Sequence, residues 1–447
     1  MTSRLAVTQF FRRGGFIVVL VLAILGVYGL EAQARREVIL TPASQDDQSA
    51  YLNYAQQMHD SSYAVIGRRN RMPVFPFLLS LIYRPGLSET QFLTRAQSFN
   101  INLSIVILLL LFLIFRKFFP TLYAIALLVM TAFGVFVYRA GLVQTEVLFY
   151  FLSFCSFLLL VRMLTAPRWW LAILGGAAIG VAHLTKASVL PALGLWAAVF
   201  LAQSFCEYRA RPDTRLREAL RRFGLLLLVI GTFGAVIFPY VRTSKQIFGH
   251  YLYNVNSTFY MWCDSWPEAV AFTRAYNDRS GGRDFPPDQV PSPAKYWREH
   301  SAGQIAQRLM HGLKTLATRS AKATGYYKFV LLFALTAAVL AARQRQLFQR
   351  LISEKLFAAI FCFLFVLSYV LLYAWYDAIV SDSRFILSLF LPFVFAASTL
   401  VLGLGKDRTF AIAGRRISFI ELFAASLICL ALTDVTYNAL RICRLMT

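Results

Sequence analysis

Residues 41–58 read TPASQDDQSAYLNYAQQM, a polar and acidic segment that follows the first strongly apolar run of the chain. Asp47, Tyr51 and Tyr54 recur at i, i+4 and i+7, a spacing that places them on one face of a helix. This pattern predicts a helix lying along a membrane surface, with an acid at the level of the bilayer. A structural alternative exists, because Ser44 followed three residues later by Asp47 also has the pattern of a capping box.

The composition around this segment is that of an integral membrane protein. Of 447 residues, 58% are hydrophobic and only 15% are charged, and the mean hydropathy is +0.58, outside the range of soluble domains. We therefore expect an all-α polytopic membrane protein, a single transmembrane domain over residues 1–447. Apolar runs able to cross about 30 Å of hydrocarbon predict about eleven spans, near residues 16–30, 101–115, 121–137, 143–161, 169–185, 188–205, 223–240, 326–342, 356–375, 385–404 and 417–433.

The net charge of +23 follows the predicted topology. Basic residues precede the first span and fall in every second connection, as the positive-inside rule requires. The N-terminus is then cytoplasmic, the first span is an uncleaved anchor, and the basic excess attracts anionic lipid. This distribution argues against nucleic-acid binding. The six cysteines are scattered without metal or redox spacing and are interpreted as small hydrophobic residues.

Two long connections fall on the outer face in this topology. Residues 31–100 are expected to hold a catalytic aspartate and interfacial helices. Residues 241–325 are expected to form a second loop, whose turn-rich stretch GGRDFPPDQVPSPAKYW at 281–297 suggests a lid over the site. No internal repeat is evident, which weakens a transporter interpretation.

The first of these loops resembles that of the GT-C membrane glycosyltransferases. The matching residues are Asp47, Tyr51, Ala55, Met58, Arg71, Pro73 and Pro76. The branch it resembles holds the protein O-mannosyltransferases and the aminoarabinose transferase that modifies lipid A. The resemblance covers roughly the first 260 residues. It implies transfer of a sugar from a polyprenyl-phosphate carrier, with inversion at the anomeric carbon and Asp47 as the catalytic base. The chain departs from the pattern at Gln48, where several members have a second acid.

The resemblance and the residue chemistry together predict the remaining site residues. Glu146 is the second catalytic candidate, and its alternative role is an acid that complements a helix dipole. The predicted ligands of the donor phosphate are Lys186, Arg242, Arg71 and Arg384. Snorkelling is the alternative for Lys186, and topology is the alternative for Arg242. The predicted substrate-binding residues are Asp46, Tyr51, Tyr54, His183 and Trp262, although His183 also fits packing and Trp262 also fits an aromatic belt at the membrane interface.

These residues predict one reaction. Sugar transfer to a hydroxyl or amine needs a base for the acceptor proton and positive charge for the departing phosphate. We expect an inverting glycosyltransferase acting on a lipid, glycan or protein acceptor at the periplasmic face of a bacterial inner membrane. No cofactor and no divalent metal is predicted. The alternatives are a flippase or transporter of a lipid-linked saccharide, and a non-catalytic assembly subunit.

Overall fold

The computed structural model describes residues 2–39, 41–45, 47–64, 66–210, 215–276, 278–286, 288–323, 325–412 and 414–446. Asp46, a predicted substrate-binding residue, lies outside these ranges.

The described chain is helical except for loops and one short hairpin. In chain order its regular elements are α1 (Thr2–Val38), α2 (Gln48–Asp60), α3 (Val74–Ser80), α4 (Glu89–Phe118), α5 (Thr121–Thr131), α6 (Val137–Ala140), α7 (Glu146–Thr165), α8 (Trp169–Thr185), α9 (Leu190–Ala210), α10 (Arg215–Phe248), α11 (Val255–Thr258), α12 (Trp266–Tyr276), α13 (Pro293–Glu299), α14 (Ala302–Ala323), α15 (Tyr326–Arg343), α16 (Arg345–Glu354), α17 (Leu356–Tyr376), α18 (Ser383–Ile386), α19 (Phe390–Gly405), β1 (Thr409–Ile412), β2 (Arg415–Ser418) and α20 (Phe419–Met446).

Ten helical segments of the described chain are long and apolar enough to cross a membrane. They are Gly14–Val38, Glu89–Phe118, Thr121–Ala140, Glu146–Thr165, Ala187–Arg209, Leu216–Phe248, Tyr326–Arg343, Leu356–Tyr376, Ser383–Gly405 and Phe419–Leu445. The eleventh predicted span is present as α8, an apolar helix of 17 residues. The predicted all-α polytopic membrane fold is therefore confirmed.

The three most buried spans are Thr121–Ala140, Glu146–Thr165 and Ser383–Gly405, the first two of which are consecutive in the chain. In the most apolar stretch of the first, 83% of the residues are buried, and in that of each of the other two, 61%. A π-helical turn, Ala132–Phe136, interrupts the first of them, a distortion that often occurs near functional sites. Residues 141–145, which connect the two spans, bring Glu146 to one end of the bundle.

That end of the bundle, here called the loop end, gathers the described residues of 39–88, 141–145, 249–301 and 377–382. Part of the second long loop folds there into a compact unit, the loop lobe (the described residues of 248–300). Its aromatic core contains Tyr253, Phe259, Tyr260, Phe272 and Phe285. The lobe contacts the first loop directly, because the Val255 amide donates to the Arg69 carbonyl at 2.8 Å. The role of this region as a lid stays a prediction.

Candidate active site

Asp47 stands immediately before helix α2, in a left-handed conformation with φ 68°. Aspartate is among the non-glycine residues that adopt this conformation most readily. The helix begins at Gln48, and the Asp47 side chain makes no capping hydrogen bond to it. The capping alternative is therefore wrong for this carboxylate. Its two oxygens are directed to other partners.

The predicted helix is present as α2 and buries the face that carries Tyr51 and Tyr54, but Asp47, which was predicted to lie on the same face, precedes the helix. Tyr51, Tyr54 and Met58 are 9%, 0% and 3% exposed. The Tyr51 hydroxyl lies 3.4 Å from Thr145 Oγ1, and its ring centroid lies 5.2 Å from the Arg71 guanidinium carbon. The Tyr54 hydroxyl accepts a hydrogen bond from the Gly67 amide at 2.5 Å. Tyr51 is thus at the edge of the site, whereas Tyr54 fixes the loop that leads to Arg71.

Five predicted residues from separate parts of the chain form one continuous set of ion pairs. Asp47 Oδ1 lies 2.7 Å from Arg71 Nη2, and Asp47 Oδ2 lies 3.4 Å from Arg384 Nη2. Arg384 Nε lies 3.9 Å from Glu146 Oε1. The same Glu146 oxygen accepts a hydrogen bond from Lys186 Nζ at 3.0 Å. We call this set, with the two residues described next, the ion network.

Sequence reasoning did not select Arg139 and Asp382, which complete the network. Arg139 Nη2 lies 3.2 Å from Asp382 Oδ1, and Asp382 Oδ2 lies 3.3 Å from Arg384 Nε. Asp382 also accepts a hydrogen bond from the Arg384 amide at 2.8 Å, so it orients both the backbone and the side chain of this arginine. An arginine near the end of a strongly apolar run is itself a signal of function, and this signal would have found Arg139.

The network combines four cations with three carboxylates, so its formal charge is +1. Glu146 is the most buried member, with a side chain 3% exposed. Asp47 is the most accessible, with a side chain 41% exposed. Partial burial strengthens the field of the cations. The arrangement therefore favours an anionic ligand beside one accessible carboxylate.

Besides Tyr51 and Tyr54, three described residues that were predicted for the site lie outside the network. Arg242 is exposed on α10 and forms no ion pair among the described residues. His183 is buried, with its ring 6.0 Å from Phe233 and 6.2 Å from Tyr240. Trp262 packs in the loop lobe, 6.1 Å from the Trp375 ring. The structure does not bring these three to Asp47, and their roles in binding stay predictions.

Within the described ranges, no group of three or more His, Cys, Asp or Glu side chains is arranged to hold a metal ion. The carboxylates of the ion network are each paired with a cation instead. A reaction without a divalent metal stays a prediction.

Comparison with known proteins gives one likeness in structure. No family model matches the chain. No curated protein matches it. Among solved structures, the chain is similar to the oligosaccharyltransferase of Archaeoglobus fulgidus, solved as a complex with zinc and sulfate. The identity is 16% and the TM-score is 0.41, over 92% of this chain and 53% of the other. The chain thus spans about half the length of that protein. The assignment of the site rests on the ion network and not on this likeness.

Proposed function

We propose that the protein is an inverting glycosyltransferase that moves a sugar from a polyprenyl-phosphate carrier to an acceptor hydroxyl or amine. The observation that carries this proposal is the contact of one accessible carboxylate, Asp47, with two arginines at 2.7 and 3.4 Å. A base and a set of cations for a phosphate are thereby held side by side. These are the two requirements of the reaction.

Asp47 acts as the general base in this proposal. Its carboxylate takes the proton of the acceptor while the acceptor oxygen or nitrogen forms a bond to the anomeric carbon. The bond from that carbon to the phosphate oxygen breaks, and the phosphate departs with the electron pair. Because the attack is opposite to the leaving group, the anomeric configuration inverts. No general acid is needed, since phosphate is already a stable leaving group.

The cations of the ion network stabilise that leaving group. Arg71 and Arg384 offer forked donors that match phosphate oxygens, and Lys186 adds a compact charge. Asp47 contacts both arginines. A bound phosphate competes for the same guanidinium groups, so it draws them from Asp47 and leaves the carboxylate free to accept a proton.

The distribution of charge supports a site on the extracytoplasmic face, in keeping with a bacterial inner membrane. The basic ends of helices α4, α7 and α15 carry Arg116, Lys117, Arg162 and Arg343. These residues lie away from the loop end, and the positive-inside rule makes their side cytoplasmic. We infer that the loop end, with Asp47, faces the periplasm. The carrier lipid and a lipid, glycan or protein acceptor meet there.

A flippase or transporter of a lipid-linked saccharide is the second candidate. Transporters place their substrate sites near the bilayer midplane, often on broken helices. Here Asp47 and Arg71 lie in a loop, and Glu146 and Arg384 lie in the first turns of their helices. This position favours surface chemistry over translocation.

Exchange of Asp47 for asparagine tests the proposed function. First, mass spectrometry of envelope lipids, glycans and proteins with and without the gene identifies the sugar that is transferred. Transfer of that sugar from its polyprenyl-phosphate carrier is then measured in membranes. We expect Asp47→Asn to lower turnover by about 100-fold or more, because the base is lost. The folded protein should still bind the carrier.

The matched control is Asp60→Asn, at the other end of the same helix. Asp60 is exposed, and its Oδ1 lies 3.3 Å from His59 Nδ1. This variant should transfer sugar at the rate of the unaltered protein. Near-normal turnover in Asp47→Asn would refute the role of the base. Carrier movement across vesicles without sugar transfer would favour the flippase.

A further inference from the structure

Gln48, the residue after Asp47, has a fully buried side chain, with no exposed surface. All the hydrogen bonds that the structure gives this side chain go to backbone atoms. Its Oε1 accepts from the Val143 amide at 2.9 Å. Its Nε2 donates to the carbonyl oxygens of Pro42 at 3.2 Å and Thr41 at 3.4 Å.

These three bonds join two loops that each lead to a carboxylate of the ion network. Thr41 and Pro42 belong to the loop before Asp47. Val143 belongs to the short connection before Glu146. The neighbouring contact between Tyr51 and Thr145 joins the same two regions. The Gln48 carboxamide therefore helps to fix the position of Asp47 relative to Glu146, together with the Tyr51–Thr145 contact.

Only a carboxamide meets the demands of this position. The group must accept one hydrogen bond and donate two, and glutamine does both. A carboxylate has no donor, and it would place a negative charge against two carbonyl oxygens in a site without water contact. An apolar side chain of the same length would leave the Val143 amide without this acceptor.

We propose that Gln48 is a positioning residue that fixes Asp47 against the turn before Glu146. This inference rests on the proposed function, in which Asp47 is the base. Gln48 does not touch the substrate. It sets the place and direction of the group that does, and small displacements of a catalytic group cost large factors in rate.

The test compares Gln48→Glu with Gln56→Glu in the full-length protein, in lipid nanodiscs. Gln56 is on the same helix and exposed, so it receives the same change of charge without the same contacts. For Gln48→Glu we expect kcat to fall by about 100-fold, with the KM for the carrier changed by less than about twofold. For Gln56→Glu we expect no change.

The pH profile separates positioning from a general loss of structure. A protonated carboxyl has one donor and one acceptor, so the activity of Gln48→Glu, relative to that of the unaltered protein at the same pH, should rise as the pH falls. Hydrogen exchange supplies a readout without turnover. The amides of residues 41–49 and of Val143 should exchange faster in Gln48→Glu than in the control.

Each outcome decides the inference. Gln48→Glu with unaltered kcat, or with lowered kcat but unaltered exchange, would overturn it. Should that variant not fold, Gln48→Met removes the same bonds without adding charge and undergoes both measurements. The proposed function is decided separately. If Asp47→Asn stays active while exchange increases in Gln48→Glu, the link between the loops stands and the base assignment fails.

Discussion

Glu146 is the most buried member of the ion network, and it contacts two of its cations. We expect Glu146→Gln to lower the free energy of unfolding by about 3 kcal/mol, since Lys186 and Arg384 lose their common carboxylate. Thermal unfolding in detergent measures the change. The control is Glu354→Gln, which removes an exposed pair with Arg350 at 2.9 Å and should cost about 0.3 kcal/mol. Equal losses in both variants would contradict the structural importance of Glu146.

The sequence predicted the chemistry of single residues better than their partners. An acid after the first span and a lysine at the end of a helix are visible in a local pattern, so the sequence predicted Asp47 and Lys186 as site residues, and the structure places both in the ion network. The pair of Asp47 with Arg384 joins residues 337 positions apart, and no local pattern predicts such a contact. Arg242 was predicted on the same basis. An arginine at the end of a span looks the same in the sequence whether or not its side chain reaches the site.

Gln48 shows the same limit at one position. The sequence marked it as a departure from the expected second acid. Only the structure shows why a carboxamide is present, because its partners are backbone atoms from two distant loops.

At the scale of elements, helix α8 depends on its close approach to α10. A Cβ atom added at Gly176 would lie 2.4 Å from the Val229 carbonyl oxygen. We expect Gly176→Ala to separate the helices and to cost about 1–3 kcal/mol of stability. Lys186, the residue that ends α8, should move away from Glu146 in the same variant, so turnover should fall with stability.

Gly231→Ala on α10 is the matched control for this prediction. A Cβ added there meets no atom within 4 Å, so the variant should unfold at or above the temperature of the unaltered protein. The melting temperature and the sugar-transfer rate of both variants check the prediction. Equal behaviour of the two would show that the approach of α8 to α10 is not required.

Helices were predicted well from the sequence where an apolar run is long enough to cross a bilayer as a helix. The sequence located all the spans, including the short α8. It did not predict α14, a helix of 22 residues, because that helix is amphipathic and lacks a continuous apolar run. The core of the loop lobe was also missed. Its aromatic residues are separated by turns, so no helical or strand periodicity reveals that they pack together.

At the scale of the whole molecule, polar contacts join the loop lobe to the membrane-embedded helices at several points. One contact is Arg308, whose Nη1 lies 3.4 Å from Asp264 and whose Nε donates to the Trp375 carbonyl at 3.3 Å. Helix α14 is thereby attached both to the lobe and to the end of span α17. The other oxygen of Asp264 accepts from His300 Nε2 at 2.8 Å. A titratable group of the lobe, His300, therefore shares the carboxylate through which the lobe contacts Arg308.

His300 should make the stability of the lobe depend on pH. Burial opposes its charge, but hydrogen bonds to the Tyr296 carbonyl and to Asp264 outweigh burial and raise the pKa of the imidazole above its ordinary value. The folded state thus holds the proton more tightly than the unfolded state. The stabilising effect of this proton is complete below about pH 6.5, the ordinary pKa of histidine, and is lost as the pH rises through the pKa of His300 in the folded state.

Hydrogen exchange tests this pH dependence. Amides of residues 255–300 should exchange faster at about pH 8.5 than at about pH 5.5, after correction for intrinsic rates. His300→Gln should remove most of this difference, whereas His311→Gln, on the exposed face of α14, should preserve it. A difference that persists unchanged in His300→Gln would place the pH dependence elsewhere in the protein.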